Sequence, residues 1–220
     1  CSYGFTDGYY YKPRIDKNIL RKHVKGLIAS TCCLAGEVNR MLIDKGEEVA
    51  EETLKEYIDI FGKENYYIEI QRHNLADMDT CNAWLLRMAK KHDMKVIATN
   101  DVHYVNEEDS EAHDLLLALQ TQSDYNDTNR FRFTDDQGRL NPRFFFKTQD
   151  EMLELFQDVP DALANTVELA ERCTFELNLT GDMILPQYKV PEQYKDMDDY
   201  LAAMVWERAP KRYPNMTTEI

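Results

Sequence analysis

The sequence predicts an α/β protein built on a parallel sheet, and three observations carry that reading. Short β-branched or aromatic runs alternate with segments of helical periodicity, a polar loop follows each run, and the residues suited to chemistry sit in those loops. The stretch Lys95-Val-Ile-Ala-Thr-Asn-Asp-Val-His-Tyr104 shows the pattern most clearly. Val96 and Ile97 are β-branched, Ala98 is small, and Asn100 breaks the run. Asp101 and His103 follow two residues apart, so extended backbone turns both side chains to one side. A carboxylate and an imidazole can thus converge on one point, as metal coordination or paired acid–base work requires. The plainer reading is a turn aspartate beside an unrelated histidine.

Taken in order, Tyr9 to Ile15 reads as extended, with Pro13 forbidding helix just before it. Asp16 caps a short helix through Arg21. Gly26 to Thr31 is an apolar strand leading into Cys32-Cys-Leu-Ala-Gly36. One helix runs from Glu37 to Lys45 and stops at Gly46. A second, from Glu48 to Phe61, places Val49, Leu54, Tyr57, Ile58 and Phe61 at helical spacing before Gly62. Tyr66 to Ile70 alternates, with Tyr67 and Glu69 on one face and Tyr66, Ile68 and Ile70 on the other. Gln71 to Asn74 is its loop. A long helix from Asp77 to His92 buries Cys81, Trp84, Leu85, Met88 and Ala89. After the Lys95 strand comes a helix from Glu108 to Gln120.

Ser123 to Asn141 is polar and holds at most a hairpin; Phe144-Phe-Phe146 returns to an apolar environment. Thr148-Gln-Asp-Glu151 is a capping box opening a helix through Phe156. Another helix runs from Pro160 to Cys173, with Leu163, Val167 and Ala170 inward. Leu185 to Pro191 is extended, and a last helix spans Asp198 to Arg208.

Composition narrows the function. The 220 residues carry 40 acidic against 26 basic side chains, a net charge of −14. That argues against a surface that binds nucleic acid by itself, while leaving room for membership of a larger DNA-handling assembly. Five cysteines without repeating spacing, and no apolar signal segment, point to a reducing, cytoplasmic setting. No run is long enough to cross a membrane, so no membrane partner is expected. The chain opens at Cys1 in mid-pattern and reads as an excised piece; three strand–loop–helix units are too few to close a barrel.

Several motifs occur in sequence: Tyr10-Tyr-Lys-Pro-Arg-Ile-Asp16, Gly26-Leu-Ile-Ala29 with Cys33-Leu-Ala-Gly-Glu-Val38, Ala98-Thr-Asn-Asp-Val-His-Tyr104, Glu111-Ala-His-Asp114, and Leu163-Ala-Asn-Thr166 to Ala170-Glu-Arg-Cys173. Together they resemble the polymerase-and-histidinol-phosphatase (PHP) domain of bacterial replicative DNA polymerase III alpha subunits, over nearly the whole chain. The resemblance implies a distorted (β/α)7 TIM-like barrel of PHP type, present here in part, with a C-terminal helical extension. It divides the chain into 1–121 as the later part of the barrel, 122–175 as loop, hairpin and helices packed on it, and 176–220 as a lead-in toward the polymerase palm. It also implies a metal cluster, with Zn or Mn as the divalent ion in the intact site and weak or absent binding in this stretch alone. Cys33, Asp101 and His103 match its later ligand positions; the earlier ligands, a His-x-His pair among them, and the palm carboxylates are expected outside this sequence.

Each candidate has a plainer reading. Free cysteine is often a small core residue, so on spacing alone Cys33 divides evenly between core and ligand; Cys32 is read as structural. Glu69, His73, His113 and Arg14 are candidates for support around the ligands. For His73 the plainer reading, a surface loop histidine, is preferred. For His113 it is packing or a substrate-side hydrogen bond, and for Arg14 an ion pair pinning the N-terminal segment. Trp84 and Met88 are core. Three functions compete. The chain is part of a replicative DNA polymerase, working with other holoenzyme subunits and primer-template DNA, with a PHP site for phosphoester hydrolysis or proofreading. Alternatively it is a freestanding metal-dependent phosphoesterase, or a non-catalytic domain that stabilises the polymerase and docks a proofreading exonuclease. A bare barrel edge invites self-association in each case.

Overall fold

The computed structural model describes residues 1–181, 186, 188–215 and 217. Two compact units divide the chain, Cys1–Thr174 and Phe175–Ile220. In the first, α1 (Ser2–Thr6) precedes a small hairpin of β1 (Tyr9–Tyr10) and β2 (Lys12–Pro13), then α2 (Lys17–His23) and β3 (Ala29–Ser30). Next come α3 (Glu37–Lys45), α4 (Glu47–Phe61), β4 (Tyr66–Ile70), α5 (Ala76–His92), β5 (Val96–Ala98), α6 (Ser110–Gln120), α7 (Gln149–Leu155) and α8 (Pro160–Arg172). The second unit holds α9 (Met197–Arg212), whose Tyr200 ring packs 4.8 Å from Tyr194 and 5.8 Å from Tyr188.

Local chemistry accounts for the boundaries. The Asp16 carboxylate accepts from the Ile19 amide at 2.7 Å and starts α2. Gly46 at φ 94° and Gly62 at φ 78° sit where a Cβ would be strained, and end α3 and α4. Thr148 and Glu151 form the reciprocal capping box that opens α7.

β3, β4 and β5 make a parallel sheet in that order, with Ser30 opposite Tyr67 and Glu69 opposite Ile97. Tyr66, Ile68 and Ile70 point to one face. There they meet Val38 of α3, Leu54 of α4, Trp84, Leu85 and Met88 of α5, and Ala162 of α8. Burying an aliphatic side chain such as Leu54, which is fully covered, contributes roughly 1.5–3 kcal/mol, so this face sets the fold. Tyr67 and Glu69 take the opposite face, as alternation requires. The α/β class is thus found. Barrel closure is not: among the described residues the parallel sheet has three strands, and β3 pairs only with β4.

Several expectations need correcting. The strand foreseen over Gly26 to Thr31 shrinks to Ala29–Ser30, because Gly26 adopts φ 82° inside a turn. Tyr9 to Ile15 folds back at Tyr11 (φ 59°) instead of running straight. Val49 is exposed and Ala50 is buried in its place; on α8, Val167 and Ala170 face outward while Ala162 and Leu163 face the core. Both are phase errors of about one residue, which helical spacing alone does not resolve when apolar residues flank the stripe. Of Phe144-Phe-Phe146 only Phe144 is buried. The 123–141 loop contains a single antiparallel bridge, Thr134 to Leu140. The extended reading of Leu185 to Pro191 falls partly outside the described residues.

Candidate functional site at the carboxyl edge of the sheet

Because the three strands run parallel, the loops after β3, β4 and β5 all leave from one edge, where such sheets place their sites. Cys32 and Cys33 follow β3, Gln71 to His73 follow β4, and Asp101 and His103 follow β5.

Asp101 and His103 come together as their spacing suggests, with His103 Nε2 3.3 Å from Asp101 Oδ1. The His103 amide donates to the Phe144 carbonyl at 2.8 Å, which ties the loop after β5 to the segment before α7. The His103 ring lies 4.5 Å from Phe133 and 5.5 Å from His113, centroid to centroid. Burial, with His103 nearby, lowers the pKa of His113 and favours its neutral form.

His73 is not a surface histidine. It is 1 % exposed and stacks on Phe144 at 4.3 Å. Burial pushes its pKa down to about 4, so the ring is neutral at pH 7. Its Nδ1 lies 3.1 Å from the Arg143 carbonyl, an acceptor, so the proton sits there. That leaves Nε2 as a buried lone pair without a partner among the described residues. The sequence held no signal for this, because Arg143 and Phe144 are about seventy residues away in the chain.

Glu69 reaches across the sheet. Its carboxylate accepts from Ser30 Oγ on β3, from Thr99 Oγ1 just past β5 at 2.5 Å, and from Gln71 Nε2 at 3.3 Å. It joins all three strand ends on the face away from the helices. Cys33 follows β3 at the same edge. Together with Cys32, Asn39, Glu69, Gln71 and Cys81 it lines a cavity of about 10 Å³, enough for about one water. Asn39 Oδ1 and Gln71 Oε1 are buried without partners. A water donating to such oxygens is what this space admits. Arg14 lies outside the edge: its guanidinium sits 5.1 Å over the Tyr10 ring, and no ion pair of Arg14 is found among the described residues.

Asp101 and His103 are a pair, but no group of three or more His, Cys, Asp or Glu side chains among the described residues has the geometry to hold an ion.

Sequence reasoning also missed a buried charge cluster behind the site. Asp114 and Arg130 are both fully covered, joined by two hydrogen bonds of 2.8 and 2.6 Å. Arg132 adds two more, at 3.0 and 2.7 Å. Burial works against the Asp114 carboxylate, yet the two guanidinium groups outweigh it and hold its pKa below the usual range. Lys147, another omission, reaches Asn100 Oδ1 at 3.1 Å beside Asp101.

An α/β sheet with acid and imidazole groups at its carboxyl edge is one arrangement that the PHP resemblance implied, and residues 1–73 match the family described as "PHP domain". The remaining two thirds of the chain are placed by full-length relatives. Over 220 residues, all of this chain, it is 36% identical to the DNA polymerase III subunit alpha of Borreliella burgdorferi. It is 34% identical to that of Treponema pallidum over 219 residues, and 39% identical to that of Deinococcus radiodurans over 223. The chain matches the PHP-domain region of DNA polymerase III alpha subunits. It spans 18% of the length of the first two relatives and 16% of the third.

Proposed function

We propose that the chain serves as the PHP-domain region of a bacterial replicative DNA polymerase, contributing to DNA-directed DNA synthesis in the cytoplasm as part of a longer polypeptide. The observation that supports this most is an alignment running end to end at 36% identity with a DNA polymerase III subunit alpha. In this reading the three parallel strands are consecutive units of a PHP-type barrel. The 176–220 stretch leads toward the polymerase portion, and primer-template DNA and other holoenzyme subunits are partners of the whole protein. No described helix is long and apolar enough to cross a membrane.

The role of this stretch is positioning. Glu69 holds the three strand ends together, and Asp101 orients His103 for use with groups contributed from elsewhere in the protein. A divalent ion such as Zn²⁺ or Mn²⁺ would need donors beyond Asp101 and His103, and when bound it would supply a Lewis acid for phosphoester hydrolysis. The open side of β3 is the edge through which isolated copies would pair.

The test is to read the coding sequence outward from this stretch and express the complete gene. The product is expected to extend a primed template, whereas the 220-residue chain alone extends none. A complete gene product that folds and fails to extend primers would overturn the proposal.

A further inference from the structure

Cys32 occupies φ 63°, in the left-handed region that non-glycine residues seldom adopt. A thiol stands at a position suited to glycine, and the next residue is a second thiol. The backbone of this pair is pinned. Asn39, itself buried, donates its side-chain amide to the Cys32 carbonyl at 3.2 Å and to the Cys33 carbonyl at 3.0 Å. The Gly36 amide also donates to the Cys33 carbonyl, at 2.8 Å. Held this way, the two Sγ atoms lie 3.9 Å apart.

We propose that Cys32 and Cys33 are a redox-modification site: a vicinal dithiol that a low-molecular-weight disulfide, glutathione disulfide for example, closes reversibly into a Cys32–Cys33 disulfide. The order of events follows exposure. Cys32 is exposed and Cys33 half-buried. The Cys32 thiolate attacks one sulfur of glutathione disulfide, forming a mixed disulfide and releasing one glutathione thiolate. The Cys33 thiolate then attacks Cys32 Sγ and releases the second. Two protein thiols lose two electrons, the reagent becomes two glutathione molecules, and the two thiol protons pass to them.

Reversibility follows from geometry. Adjacent Cα atoms across a trans peptide are about 3.8 Å apart, below the roughly 4.4–6.8 Å that unstrained disulfides span, and strained disulfides are more easily reduced. Cys81 lines the same cavity, but it is buried and its pKa is pushed up to about 11, which leaves it protonated and a poor competitor.

Trypsin cleavage after Lys25 and Arg40 releases Gly26–Arg40, which carries both thiols and no other cysteine. The 220-residue chain is equilibrated in glutathione redox buffers, quenched with an alkylating agent, digested and weighed. The expected product is this peptide lighter by two hydrogens, without alkyl groups, and restored by dithiothreitol. Its oxidation midpoint in the folded chain should be shifted toward the disulfide about tenfold relative to the urea-unfolded chain, about 30 mV. Cys32→Gly suits the left-handed position, so it keeps the fold, and its Cys33 should carry only a mixed disulfide with glutathione. Both thiols remaining alkylated or singly glutathionylated at every ratio would overturn the proposal, as would equal midpoints for folded and unfolded chains. A Cys33–Cys81 disulfide in Cys32→Gly would also overturn it.

Discussion

Replacing Asp114 by alanine tests the buried charge cluster most directly. Asp114 and Arg130 have no exposed side-chain surface, and the carboxylate also takes both hydrogen bonds from Arg132. Removing one partner of a buried ion pair costs roughly 3–5 kcal/mol, because the other charge stays in a poorly solvating interior. Two features set the expectation at the lower end. Arg130 keeps the Tyr125 carbonyl at 3.1 Å and the Asp114 backbone carbonyl at 3.3 Å, and Arg132 is exposed enough to turn toward water. We therefore expect Asp114→Ala to cost about 3 kcal/mol, a fall in Tm of about 6–12 °C for a domain of this size. Urea unfolding and calorimetry measure it. The pKa of Asp114 is lower folded than unfolded, so its contribution is present above the unfolded value near pH 4 and lost as pH falls through the folded value. The gap between wild type and variant should therefore narrow in acid. Adding Arg130→Met removes the stranded charge and should recover part of the loss. A single variant within about 1 kcal/mol of wild type, or a double variant no better than the single one, would refute the reasoning.

Other outcomes follow from the same structure. Leu54→Ala, at a fully buried position, should cost roughly 2–5 kcal/mol in urea unfolding, and a loss under about 1 kcal/mol would contradict its place in the core. Hydrogen bonds from Lys91 and Lys55, with His92 adding to them, hold the Glu51 pKa at about 2. A depressed acid stabilises above its unfolded pKa, so Glu51→Gln should cost about 1 kcal/mol at pH 7. That difference should vanish between pH 4.5 and 2, the interval bounded by the ordinary and folded values, when stability is followed against pH. Calorimetric titration of the 220-residue chain with Zn²⁺ or Mn²⁺ should show only weak binding, since Asp101 and His103 lack a third ligand nearby. Tight binding abolished by Asp101→Ala would show that these loops suffice.

Local signals were legible where one interaction decides an element. The Asp16 cap, the Thr148–Glu151 box, the glycine stops at Gly46 and Gly62, and the alternation of Tyr66 to Ile70 all appear in the structure as read. Helix phase was less legible. On α4, neighbouring apolar residues compete for the inward stripe, and packing chose Ala50 over Val49; on α8, Leu163 faces the core as read while Val167 turns outward. Of the site, the Asp101–His103 pairing was visible because two residues in extended backbone share a side. The burial of His73 was not, because its partners Arg143 and Phe144 lie far along the chain.

By itself, then, the sequence determined the alternation of strand and helix, the edge on which the polar loops gather, and the family to which the chain's motifs answer. Those features depend on short-range backbone chemistry and on residue order. The tertiary structure alone decided how the edge is wired: Glu69 spanning three strand ends, His73 left with a buried lone pair, the Cys32 and Cys33 sulfurs brought to 3.9 Å, and Asp114 locked between Arg130 and Arg132. Each of these rests on distance, burial or desolvation, which arise only when the packed chain excludes water and brings its segments together.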